Sequence, residues 1–177
     1  MNTKDIVLIA LFAALMAALG VVPQITLPLG VPITAQSMGV MLAGALLGAK
    51  RGGLAIALFL GLVALGLPLL AGGRGGAGVF FGASGGFLIG FVVGAFVIGL
   101  LFDRHKTQPA FLLSLIYILV GGIGVVYLFG VPWLAQIAEL SLGQALVGSA
   151  AFLPGDCVKA VLTALIAREV RKAIPTL

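Results

Sequence analysis

Two side chains of opposite charge, Asp156 and Lys159, stand three residues apart in FLPGDCVK (152–159), in a chain that otherwise almost avoids charge. At that spacing they share one face of a helix and reach each other. Pro154 and Gly155 precede the pair, so Asp156 falls in the first helical turn, near the positive end of the helix dipole. A third charge, Arg74, sits alone in the glycine-dense loop 72–78, GGRGGAG. The chemistry these types support is recognition rather than bond making. A cation holds an anionic group, and a carboxylate accepts hydrogen bonds from amide-like or urea-like N–H donors. Gln36 adds a donor and an acceptor, while Phe80, Phe81, Phe87 and Tyr117 are available as apolar walls. The set suits a small amphipathic solute with an acid at one end. The plain alternative is that Asp156 and Lys159 pair with each other and only fasten the last helix.

The elements that position these residues must be membrane helices. The 177 residues are 62% hydrophobic and 8% charged, with a mean hydropathy of +1.29, too few polar groups to cover a soluble domain. Six apolar spans are expected, at 5–22, 36–50, 53–71, 85–102, 110–131 and 148–170. Most approach the roughly 20 residues a helix needs to cross a bilayer, and they lack the alternation of a transmembrane barrel. The exception is the second, since 14 residues rise only about 21 Å. The reading is an all-α integral membrane bundle of six transmembrane helices, one polytopic domain over 1–177, with the first span a retained helix rather than a cleaved signal.

Six spans place both termini on one side. Lys4, Lys50, Arg51, Arg104, Lys106, Arg168, Arg171 and Lys172 then share that face, and the excess of Lys and Arg marks it as cytoplasmic. The basic balance is therefore topology, and no nucleic-acid partner is needed; the partner is the lipid bilayer. Arg74, Asp156 and Lys159 map to the opposite, outer side. There the loop 23–34 is uncharged and proline-rich, which favours an extended cover over a helix. The last outer loop carries the exposed Glu139 and Trp133, the latter expected as an interfacial anchor. His105, in the cytoplasmic Asp103–Lys106 turn, reads as a solvated connector residue, and no second histidine or acidic cluster offers a metal site.

Small residues recur at helical spacing. Gly82, Gly86, Gly90 and Gly94 give the fourth span a smooth packing face. Ala10, Ala14 and Ala18 form a ridge on the first span, backed by Ala13 and Ala17, which packs within the bundle or against another protein. The single cysteine, Cys157, excludes an intrachain disulfide and reads as packing. No Walker A or HExxH sequence is present, so neither ATP hydrolysis by that route nor an enzyme is expected.

With these residues in hand, FLPGDCVK resembles the last-helix FLPGDxxK signature of the biotin-specific substrate-binding subunits, the BioY family, of energy-coupling factor (ECF) transporters. AGGRGG (71–76) is similar to that family's AGGxGG loop, GGFLIGF (85–91) to its GGYLIGF helix start, and PITAQ (32–36) to the segment entering its second helix. One departure is GASGG (82–86) where the family commonly has GPTGG; a rigid proline is lost, while Ser84 keeps the hydroxyl.

The resemblance implies the S-component fold in a prokaryotic cytoplasmic membrane. It also implies capture of biotin on the outer face, without a cofactor, and delivery with a transmembrane coupling subunit and an ATPase pair that consumes the ATP. By it, Asp156, Lys159 and Arg74 contact the ligand, and Ala10 and Ala14 face the coupling subunit; Gln36, Tyr117, Phe80 and Gly86 are the further candidates for the substrate site, and Ala13 and Ala17 for the partner-facing ridge. Two rivals stand beside it. One is a stand-alone ion-coupled secondary transporter of a small amphipathic carboxylate, with Asp156 as proton carrier, although no inverted repeat is evident. The other is a membrane scaffold whose charges are only structural.

Overall fold

Backbone N–H and C=O groups have no water to bond in lipid, so the chain satisfies them within helices. The computed structural model describes residues 1–26, 30–105 and 109–174. Leu27, Pro28 and Leu29 of the proline-rich loop, and Lys106 of the basic face, lie outside the described residues. Five helical stretches are long and apolar enough to cross a membrane. They are α1 (Thr3–Gly20), α2 (Gln36–Ala64), α3 (Gly85–Asp103), Phe111–Ile137 and Leu142–Ala173. The fourth runs through α4 (Phe111–Leu119), a π turn (Val120–Val125) and α5 (Val126–Ile137). The fifth joins α6 (Leu142–Ser149) through a 3-10 turn (Ala150–Phe152) to α7 (Leu153–Ala173).

The count of five, against the six spans expected, has one cause. The segments expected at 36–50 and 53–71 form a single helical element, broken inside at Gly48, where φ is 80° and ψ −179°. The break is a sharp one. A Cβ placed on Gly52 would sit 2.8 Å from the Ala43 carbonyl oxygen, whereas nine residues of straight helix separate two positions by about 13 Å. The arms 36–47 and 49–64 therefore fold toward each other at the bend.

Polar side chains gather at this bend from both ends of the chain. Asp103 Oδ2 accepts from the Ala49 N–H at 2.9 Å, supplying one of the acceptors that a helix N-terminus lacks. Arg51 donates to the Leu47 carbonyl at 2.8 Å and lies 3.6 Å from Asp5, in the capped first turn of α1. From the last turns of α7, Arg171 donates to the Ala45 carbonyl at 2.9 Å with its guanidinium 5.0 Å from the Phe102 ring centre. The first turn of α1 and the last turns of α7 thus lie at the same end of the bundle as the bend.

Elsewhere the small residues do different jobs. Gly86, Gly90 and Gly94 bring α3 against α5 and the π turn, but Gly82 precedes the helix, and its carbonyl accepts from Trp133 Nε1 at 2.9 Å. Trp133 is accordingly a half-buried clamp within α5, not a loop anchor. A Cβ on Gly86 would overlap Trp133 and the Phe129 carbonyl. Gly86→Val should therefore cost about 1–3 kcal/mol by overpacking and lower the thermal midpoint in detergent by about 2–12 °C. An unchanged midpoint would show that α3 and α5 have slack. On α1 the alanine ridge divides: Ala13 is buried and Ala17 half-buried inside, while Ala10, Ala14 and Ala18 stay exposed with Val7 and Leu11. Cys157 is exposed on α7 rather than packed within the bundle.

Candidate functional site

Proline at the start of α7 fixes the entry of that helix and puts Asp156 in its first turn. The result is a short polar network. Lys159 Nζ lies 2.9 Å from Asp156 Oδ1 and donates to Ser37 Oγ at 2.9 Å. Ser37, in the first turn of α2, donates to the same Oδ1 at 3.2 Å, and the Tyr127 hydroxyl of α5 donates to Oδ2 at 2.9 Å. Asp156 is only 7% exposed. Three helices thus hold one carboxylate, and a charge pair removed from water is compensated by hydrogen bonds on both members.

The network forms one wall of a cavity of about 60 Å³. Val31 to Thr34 also line it, and include the short strand β2 (Pro32–Ile33) paired antiparallel with β1 (Ile25–Thr26). Phe87, Tyr127 and Phe152 form a mutually edge-to-face aromatic wall, with ring centres 6.0–6.4 Å apart. A second cavity of about 40 Å³ contains Arg74, Ser84 and Gln36, and shares Val31, Pro32, Thr34, Phe87 and Phe91 with the first. Each has room for only a few water molecules and is far below the roughly 300 Å³ of a small-molecule site. The strand segment and the two phenylalanines divide one polar region into two.

Arg74 lies beyond that partition. Its Nε donates to the Ala71 carbonyl at 3.3 Å and Nη1 to Ser84 Oγ at 3.5 Å, with no acidic partner among the described residues. Burial pushes its pKa below the usual arginine value, because desolvation disfavours the charged form; the guanidinium remains protonated at neutral pH. It is a half-buried cation bonded only to neutral oxygens. The hydroxyl kept at Ser84 is one of them.

Of the remaining candidates from the sequence, Phe87 lines both cavities and Gln36 the second. Gln36 is 2% exposed, and its amide already bridges three backbone sites: Nε2 to the carbonyls of Met16 and Leu69 at 3.0 Å, and Oε1 from the Ala71 N–H at 3.1 Å. In this conformation it ties α1, α2 and the arginine loop together. Tyr117 is not brought to the site; its hydroxyl is 2.7 Å from Nε2 of a half-buried His105, next to Phe102. His105 is thus a bonded residue, not a solvated connector. Gly86 packs against Trp133, and neither cavity is lined by Phe80, Phe81 or Gly86. The sequence reading missed Ser37 and Tyr127. Depth would have found Tyr127: it lies about 15 Å along the helix from Tyr117, toward the end of the span where Asp156 sits.

A multi-pass helical membrane protein with a buried charged pair facing a partitioned, aromatic-walled cavity belongs to the class of small-solute carriers and receptors rather than enzymes. Comparison with known proteins makes the assignment definite. The chain belongs to the BioY family, whose model matches residues 1–176. It is 49% identical to the biotin transporter BioY of Rhizobium etli, covering 100% of this chain and 98% of that one. To the biotin transporter BioY of Rhodobacter capsulatus it is 50% identical, covering 98% and 96%. A crystal structure of the S-component for biotin from an ECF-type ABC transporter superimposes with a TM-score of 0.91 at 38% identity, covering 97% of this chain and 95% of that chain.

Proposed function

We propose that this chain captures biotin at the outer face of a prokaryotic cytoplasmic membrane and delivers it inward as the S-component of an ECF transporter. The observation that carries the proposal is the Asp156–Lys159–Ser37–Tyr127 network, facing a cavity next to a second one that holds an arginine bonded only to neutral oxygens. A bicyclic urea with an acidic tail matches that pattern. Asp156 accepts from the ureido N–H groups, and Lys159 and Arg74 attract the carboxylate. Entry requires the Val31–Thr34 segment to lift, so that the two cavities become one.

The topology follows from the bend at Gly48. Its arms cross the membrane separately, one of them short, which makes six crossings and accounts for both termini lying at the end of the bundle where Arg51 and Arg171 meet. That end is cytoplasmic by its Lys and Arg excess. The chain uses no cofactor of its own: biotin is cargo, and a coupling subunit with two ATPases supplies the ATP-driven step. The exposed Ala10 and Ala14 are the contact for that coupling subunit, and the inward Ala13 and Ala17 support them from within.

Equilibrium titration of the purified protein with biotin and with biotin amide tests the reading. Biotin should bind, and removal of the carboxylate charge should weaken binding at least about tenfold, the scale of one charged hydrogen bond. Absence of biotin binding would refute the substrate. Equal affinity for the amide would refute the role of the cations.

A further inference from the structure

The bundle carries a larger concavity away from the polar site. A groove of about 390 Å³ runs between the second arm of α2 and α3, lined by Gly53, Leu54, Ala57, Val92, Val93 and Phe96, with Lys50 at one end. Gly53 leaves its floor open above Phe96, where a Cβ would lie 3.5 Å from the ring-bearing carbon. Lys50 is the single polar lining residue. It is exposed, and unlike its neighbour Arg51, which bonds Leu47 and Asp5, it has no acidic partner among the described residues.

We propose that this groove holds one anionic phospholipid of the bilayer, its acyl chain between Gly53–Ala57 and Val92–Phe96 and its phosphate on Lys50. The lining fits the chain, because it is apolar throughout except at the end where headgroups lie. The charge fits the head, because a lysine at the basic end of the bundle attracts anionic lipid, and no acidic side chain among the described residues forms an ion pair with it. A protein helix is a poorer occupant: it would bury the lysine without a counter-charge.

Native mass spectrometry of the full chain, exchanged into mixed micelles containing phosphatidylglycerol and phosphatidylcholine, tests this. The wild type should retain phosphatidylglycerol about fivefold over phosphatidylcholine, the effect of one lysine near an anionic headgroup. Lys50→Gln should retain both lipids equally. Ala57→Phe, which fills the groove from its exposed lip, should retain neither. Both variants should elute as one species and keep wild-type biotin titrations, since neither residue lines the polar cavities. Equal retention of the two lipids by the wild type would overturn the proposal, as would undiminished retention by Ala57→Phe or a dimer in place of bound lipid.

Discussion

The double variant Asp156→Asn/Lys159→Met should melt at or above the wild-type temperature and lose biotin binding by at least about a hundredfold. Each half of that result excludes one account of the pair. Asp156→Ala alone leaves the Lys159 ammonium in a site where its side chain is 16% exposed and its counter-ion is gone. Breaking a buried pair in this way costs about 3–5 kcal/mol, whereas replacing both members with neutral groups of similar volume is often neutral or stabilising. A pair whose only task is to fasten α7 to α2 would lose its task without harm in the double variant, and binding would survive. A pair that recognises a ureido ring and a carboxylate would be missed by the ligand, since loss of a buried charged partner removes about 3 kcal/mol of affinity, a factor of a hundred or more. Paired melting and binding curves on the same preparations decide the matter. Binding retained within tenfold would remove Asp156 and Lys159 from the site.

That pair was legible because charge is so rare in this chain that each instance needs a reason. Arg74 and Phe87 were legible for related causes, one as a lone cation among glycines and the other as a ring within a similar helix start. Ser37 was not, since a serine at the start of an apolar helix has no sequence mark separating it from Ser84 or Ser114. Tyr127 was obscured by Tyr117, because composition offers two tyrosines on one span and only depth separates them. The π turn between them adds a rotation that a regular helical period does not include. Gln36 was recognised as a polar residue at the start of its span, but three backbone bonds from distant segments make it a tie, which no local pattern reveals. The alanine ridge misled in another way. Ala10, Ala13, Ala14 and Ala17 look alike in sequence, yet only Ala10 and Ala14 remain on the open side, because α2 covers the other half of α1.

The bend in α2 was half legible, and it carries the second large expected effect. Lys50 and Arg51 interrupt 29 helical residues, and their charge argued correctly for a turn. The sequence shows no loop, because one glycine makes the turn inside an otherwise continuous helix. With φ at 80° and ψ at −179°, Gly48 occupies a backbone region almost confined to glycine, where another residue incurs about 1–3 kcal/mol. A Cβ there would also fall 2.5 Å from Asp103 Oδ1, displacing the carboxylate that caps Ala49. Gly48→Ala therefore removes the turn and the cap together, and should cost at least about 3 kcal/mol. In a chain this size that lowers the thermal midpoint by roughly 6–12 °C. Asp103→Asn leaves the turn intact and weakens only the cap, so its loss should stay near 1–2 kcal/mol. The ordering separates two accounts of the bend. If Asp103→Asn proved as damaging as Gly48→Ala, the carboxylate would hold the arms together and the glycine would merely permit it. If Gly48→Ala melted like wild type, the arms would be free to straighten, and the six-crossing topology we propose on that bend would fall with it.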